Sequence, residues 1–333
     1  MSGVAICTKR MLHFFMISLV VAPFLLTAIL VSANAQDAER VYRLGHLAPT
    51  ASSERATREF SLPELAKLGF VEGRNLEFVV RSGNLDALPD LARELLATKP
   101  DAIIAIGSTA VRATREATNS VPIIMFTDDP IGQGFATSFA RPDRNVTGVA
   151  IMVLELQAKR LELLLEAVPQ ARRVAALLRS PTREQSEREL RAAAATAGIE
   201  LLVVSADGAS DYQAAFALMR AAGAEALVIG SDPQFYADKE LLAALAREAR
   251  LPTSCEWPDM ARAGCLVGYG ANPAALRRRL AQYVARILRG ASPGELAIER
   301  PTTFELAINL KTAQGLALTI PHALLARADE IIE

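Results

Sequence analysis

Small hydroxyl residues and carboxylates recur where short apolar runs give way to helical stretches. The first half carries Ala48-Pro49-Thr50-Ala51-Ser52-Ser53, Gly107-Ser108-Thr109 and Thr127-Asp128-Asp129-Pro130. The second half carries Ser180-Pro181-Thr182, Ser231-Asp232-Pro233 and Glu256-Trp257-Pro258. Open parallel sheets take ligands beyond the carboxyl ends of their strands. Helix N-termini there present backbone N–H groups that suit a carboxylate. Taken singly, each of these residues is explained as an N-cap, which favours the same Ser, Thr and Asp. Six such ends in two facing domains read better as a lined cleft. Asp129 and Asp232 add negative charge that suits a ligand ammonium. Trp257, the single tryptophan, offers a face for stacking or a body for core packing.

Other chemistries lack their residues. There is no phosphate loop. Gly132-Gln133-Gly134 lacks the third glycine of a dinucleotide fingerprint and reads as a turn opening a helix around Phe135–Ala140. After residue 35 only His46 and His322 remain, and no H-x-x-x-H or C-x-x-C spacing occurs, so neither a metal site nor a cofactor is expected. No G-x-S-x-G elbow supports an exported hydrolase. His46, at the end of the first strand, reads as structural.

The elements that must position the hydroxyls and carboxylates alternate regularly. Strands are predicted at Val41–Leu47, Asn75–Arg81, Asp101–Ile106, Pro122–Thr127 and Val146–Ile151, with an amphipathic helix at Leu85–Thr98. The scheme repeats with strands at Arg173–Arg179, Glu200–Ser205, Ala226–Gly230, Pro252–Cys255 and Cys265–Tyr269. Helices are predicted at Leu154–Val168, Arg183–Ala197, Tyr212–Ala222, Phe235–Ala249 and Pro273–Arg289, and a last strand at Thr303–Asn309 precedes two short helices. This is α/β patterning, and two runs of about five strands imply two doubly wound parallel-sheet domains. The first boundary falls near Thr147–Val153 with no Gly/Ser-rich linker, which suits a clamshell hinge of extended strands.

The chain has 333 residues, 51% of them hydrophobic, with 36 Lys+Arg against 37 Asp+Glu. That length accommodates two domains, and the charge balance argues against a nucleic-acid partner. Lys9 and Arg10 precede an uncharged apolar run, Met11 to Val31, that ends at Ala33-Asn34-Ala35. These are the parts of a secretory signal peptide over residues 1–35, cleaved after Ala35. The alternative, an uncleaved anchor, does not need the small-residue site. Export to the periplasm permits a disulfide between Cys255 and Cys265; two buried thiols are the other option.

At this point the residues resemble a known family. Thr127-Asp128-Asp129-Pro130-Ile131-Gly132, Ala140-Arg141-Pro142-Asp143-Arg144-Asn145-Val146-Thr147-Gly148, Lys159-Arg160-Leu161-Glu162-Leu163-Leu164 and Val267-Gly268-Tyr269-Gly270 look like its blocks. So do Pro301 to Ala313 and Leu318 to Glu330. The chain is similar, over about residues 41–331, to ABC-transporter substrate-binding proteins of the family that includes aromatic-amino-acid-binding members. The resemblance implies a type I periplasmic-binding-protein clamshell with three crossovers. Residues 36–150 plus about 271–302 would form the N-terminal lobe, and 151–270 plus about 303–333 the C-terminal lobe. It also implies a small solute, an amino acid or small organic acid, held between the lobes, a membrane ABC permease as partner, and a separate ATPase acting indirectly.

The resemblance places Ser180, Thr182 and Ser186 where amino-acid-binding members carry a Ser/Asn loop. It places Ser231-Asp232-Pro233 where they carry T-D-N, so Asp232 is kept and the amide is not. With Ser52, Ser53, Ser108, Thr109, Asp129 and Trp257, these are the expected ligand-binding residues. A ligand-sensing module without transport is the alternative function.

Overall fold

The computed structural model describes residues 40–142, 144–152, 155–179 and 183–333. The signal-peptide assignment, Ser180 and Thr182 lie outside them. The first sheet comprises β1 (Tyr42–Ala48), β2 (Leu76–Ser82), β3 (Ala102–Ile106), β4 (Ile123–Thr127) and β5 (Val146–Ala150). Its order is β2-β1-β3-β4-β5 and every pairing is parallel. All residues of β3, β4 and β5 are buried, because helices cover both faces of such a sheet and leave no solvated side to alternate with.

The second sheet comprises β6 (Arg173–Leu178), β7 (Glu200–Ser205), β8 (Ala226–Ile229), β9 (Thr253–Cys255), β10 (Val267–Gly270), β11 (Glu305–Asn309) and β12 (Glu330–Ile332). Its order is β12-β11-β10-β9-β8-β6-β7. One strand departs from the expected all-parallel sheet: β11 runs antiparallel to β10, because the chain re-enters from the other lobe, and it pairs in parallel with the edge strand β12. That edge strand was not anticipated.

Two helix expectations are corrected. Residues 135–140 form turns, not a helix. The Phe135 and Ala136 N–H groups both donate to the Pro130 carbonyl (2.8 and 3.0 Å), closing a loop with Gly134 at φ +69° that buries Phe135. The helix expected over Phe235–Ala249 divides into Pro233–Ala237 and Lys239–Glu248 at Asp238. The Asp238 carboxylate accepts from Tyr212 (2.7 Å) and Gln234 (2.8 Å).

The chain passes between the sheets three times: after β5, after β10 and before β11. The helix Pro273–Leu288 follows β10 of the second sheet yet packs on residues 57–67 and on β3, β4 and β5 of the first. Leu276, Leu280, Ala281, Val284 and Leu288 form its buried stripe. Two of the extended crossings run side by side, with Glu299 N–H donating to Gly148 O (3.0 Å) and Ala150 N–H to Glu299 O (2.8 Å).

Several sequence blocks thereby acquire a structural reason. Asn145 Nδ2 donates to Val121 O (2.7 Å), and Thr147 Oγ1 donates to Leu296 O (2.7 Å), tying β5 to both neighbouring loops. Arg160 is 1% exposed. Its Nε donates to Tyr269 O (2.8 Å) and its Nη2 to Glu256 O (3.3 Å). Gly270 lets β10 lie against that segment, since a Cβ there would collide with the Glu256 carbonyl. Cys255 and Cys265, both buried, are paired as a disulfide with Cα atoms 6.4 Å apart. The bridge closes a short ring that contains Glu256 and Trp257.

Candidate functional site

A cavity of about 110 Å³ lies where the carboxyl ends of the two sheets face each other. Its first-lobe wall comes from Pro49 and helix Ala51–Ala56 after β1 (Ser53, Ala56), the start of helix Ser108–Ala117 after β3 (Gly107, Ser108, Thr109), the end of β4 (Phe126, Thr127, Asp128) and the start of helix Pro273–Leu288 (Pro273, Arg277). The second lobe supplies Arg179, Ser186, Ser231, Asp232, Pro233, Tyr236, Glu256 and Trp257. The lobes touch at the rim: Gly107 has φ +82°, and a Cβ there would stand 3.6 Å from Pro233 Cγ. A larger residue at 107 would meet both backbone strain and the opposite lobe.

Six expected residues are brought together here: Ser53, Ser108, Thr109, Ser186, Asp232 and Trp257. Ser108 Oγ is 3.0 Å from Thr127 Oγ1 and accepts from Gln133 Nε2 (2.8 Å). Two others are not among the lining residues. Ser52 Oγ is 3.0 Å from Thr50 Oγ1, within the hydroxyl group that caps helix Ala51–Ala56. Asp129 Oδ1 accepts from Gly132 N–H (2.8 Å), and its Oδ2 is 3.5 Å from Gln185 Nε2 of the other lobe. The neighbouring carboxylate, Asp128, lines the cavity instead.

Asp232 is 7% exposed. Its Oδ1 pairs with Arg179 Nη1 (3.1 Å) and accepts from Gln234 N–H (2.7 Å), so it caps helix Pro233–Ala237. Burial raises its pKa, and the Arg179 charge partly offsets that rise. Because Asn caps as well as Asp does, Asp232→Ala is expected to be less stable than Asp232→Asn by about 1 kcal/mol. Urea unfolding of the two variants at pH 7 checks this.

Glu256 is fully enclosed beside Arg160, with the Ser231 hydroxyl hydrogen-bonded to it. Burial drives its pKa up to about 7 against the opposing pull of Arg160. Asp128 and Asp232 add further negative charge to its surroundings. This end of the cavity thus holds three carboxyl groups against two guanidinium groups, those of Arg160 and Arg179. The remaining wall is apolar and aromatic, with Phe60, Ile106, Phe126, Tyr236 and Trp257. His46 lies outside the cavity lining; it is 0% exposed, with Nε2 3.1 Å from Thr57 Oγ1.

Among the described residues no cluster of His, Cys, Asp and Glu could hold a metal ion, and no helix is long and apolar enough to cross a membrane. Two α/β lobes joined by three crossings, with a mixed polar and apolar cavity between them, define a bilobal solute-binding protein of the periplasmic-binding type. The chain belongs to the ABC transporter substrate binding protein family, whose model matches residues 56–332. That is a family of binding proteins rather than enzymes, and the chain is a solute-binding component of an ABC transporter.

A tyrosine-binding protein of Clostridioides difficile is 22% identical over 280 residues, covering 82% of this chain and 79% of its own length. A conserved domain protein of Vibrio cholerae superposes with a TM-score of 0.80 at 26% identity, covering 88% of this chain and 100% of that one. An ABC domain of Streptococcus pneumoniae solved in complex with L-Trp gives 0.77 at 22% identity, covering 87% and 100%.

Proposed function

We propose that the protein captures an amino acid or small organic acid with an apolar, preferentially aromatic, body and delivers it to a membrane ABC permease powered by a separate ATPase. The cavity carries this reading, because it sets aromatic walls against hydroxyls and charged groups. The tyrosine-binding relative and the L-Trp complex support the ligand class. Ser53, Ser108, Thr109 and Ser186 would serve the polar end of the ligand, Trp257 its ring, and Glu256 with Asp128 and Asp232 any ammonium.

Residues 36–150 with about 271–302 would move as one lobe, and 151–270 with about 303–333 as the other, closing over the bound solute. A ligand shifts that equilibrium only by its differential affinity for the open and closed states. The signature of residues 1–35 supports export to the periplasm with cleavage after Ala35.

A thermal-shift screen of the exported protein, stripped of ligand by unfolding and refolding, tests the reading. Aromatic amino acids and aromatic carboxylates are expected to stabilise it by about 2.7 kcal/mol at 100 times their dissociation constant. Sugars are expected to leave it unmoved. A response confined to sugars would overturn the ligand class.

A further inference from the structure

Arg277 sits on the first turns of helix Pro273–Leu288 and is 6% exposed, yet it lines the interlobe cavity. Its protein partners are modest. Nη1 donates to Thr57 Oγ1 (3.1 Å) and, at 3.4 Å, to Ser53 O, and the guanidinium lies 5.1 Å from the centre of the Phe126 ring. Among the described residues Nε and Nη2 have no protein acceptor, and no carboxylate forms an ion pair with this cation. Burial lowers its pKa to about 10, so it stays protonated at neutral pH.

A buried guanidinium is ordinarily held by a carboxylate, since an uncompensated charge in a dry site is expensive. Every other buried arginine near this site has one: Arg179 pairs with Asp232, and Arg160 lies in the field of Glu256 and Asp128. Arg277 has none, and it lines a cavity with aromatic walls.

We propose that Arg277 is the anion-binding residue of this protein, receiving the carboxylate of the ligand through its Nε and Nη2 donors. This rests on the solute reading above and gives the ligand a direction. The carboxylate meets helix Pro273–Leu288 of the first lobe. The planar fork of arginine matches a carboxylate with two parallel hydrogen bonds, which lysine cannot reproduce.

Titration of the exported protein, followed by the fluorescence of Trp257, tests this with L-phenylalanine, phenylacetate, phenylacetamide and D-glucose against wild type, Arg277→Gln and Arg277→Lys. Both carboxylates are expected to bind wild type, to lose about 30-fold or more in affinity in Arg277→Gln, and to regain part of it in Arg277→Lys. Phenylacetamide should bind wild type and Arg277→Gln alike.

Carboxylate affinity within about threefold of wild type in Arg277→Gln would overturn the assignment and leave the solute reading standing. Binding of glucose or the amide alone to wild type would overturn both. Should wild type take none of the four, ligand-free melting of Arg277→Met decides. A Tm at or above that of wild type marks a cation held at a cost for a ligand. A fall of several degrees marks a guanidinium that merely ties Thr57 to the helix, and would sink the proposal.

Discussion

Glu256→Gln is expected to be more stable than the wild-type protein at pH 8, by about 3 kcal/mol, and to match it near pH 4. The carboxyl group titrates at about 7 in the folded chain against an ordinary value of 4.5. The folded state therefore holds its proton more tightly than the unfolded state does. The resulting stability is fully present below about pH 4.5 and is lost as the pH rises through about 7. Glutamine mimics the protonated form at every pH and escapes the loss. Urea unfolding of the ligand-free protein at pH 4, 6 and 8 measures it. A variant less stable than wild type at pH 8 would show that the Arg160–Glu256 attraction outweighs the burial of the charge.

The second large effect has the opposite sign. His46 is 0% exposed. Burial first, then the charges of Arg277 and Arg58, depress its pKa from 6.5 to about 3. Its Nδ1 has no partner, so no acceptor offsets the cost of protonation. The stability contributed by the neutral ring is present above pH 6.5 and drains away as the pH falls toward 3. Between pH 6.5 and 4 the loss is about 3 kcal/mol.

His46→Gln, which keeps an N–H for Thr57 and does not titrate, should lack that acid-side loss. In the wild-type protein the two groups oppose each other between about pH 4.5 and 6.5, so its profile there should be flat. Each single variant should tilt it, His46→Gln losing stability as the pH rises and Glu256→Gln gaining it. Parallel profiles for wild type and His46→Gln would show that the ring titrates in the folded protein as it does in the unfolded chain.

Much of the fold was legible because each element was marked by its own period. The helix Arg183–Ala197 has the predicted ends, and β7 is Glu200–Ser205 as read. The turns after Gly134 escaped because Phe135, Ala136 and Phe139 offer the same apolar spacing to a helix as to a loop packed against the core. The site was less legible, because which residues beyond a strand end face the cleft is set by the turn that follows the strand.

In Thr127-Asp128-Asp129, composition alone does not say which carboxylate enters the cleft. Asp129 was expected there, but its carboxylate turns back to accept from Gly132 N–H and Asp128 lines the cavity instead; Glu256 lines it together with the expected Trp257. Arg277 was missed although a signal existed. Among Arg277, Arg278 and Arg279, only Arg277 lies three, four and seven residues before Leu280, Ala281 and Val284, on the buried stripe.

The helix Pro273–Leu288 also governs when the molecule can be finished. Its Leu280 and Val284 join one core with Ile104, Phe126 and Val149 of the first sheet. A chain that emerges N-terminus first completes all five strands of that sheet by residue 150. It then waits more than a hundred residues for the cover of one face. The lobes therefore do not mature one after the other like beads on a string. Through synthesis, that face of the first sheet is a sticky surface awaiting its lid, and both lobes close their cores only when the last quarter of the chain arrives.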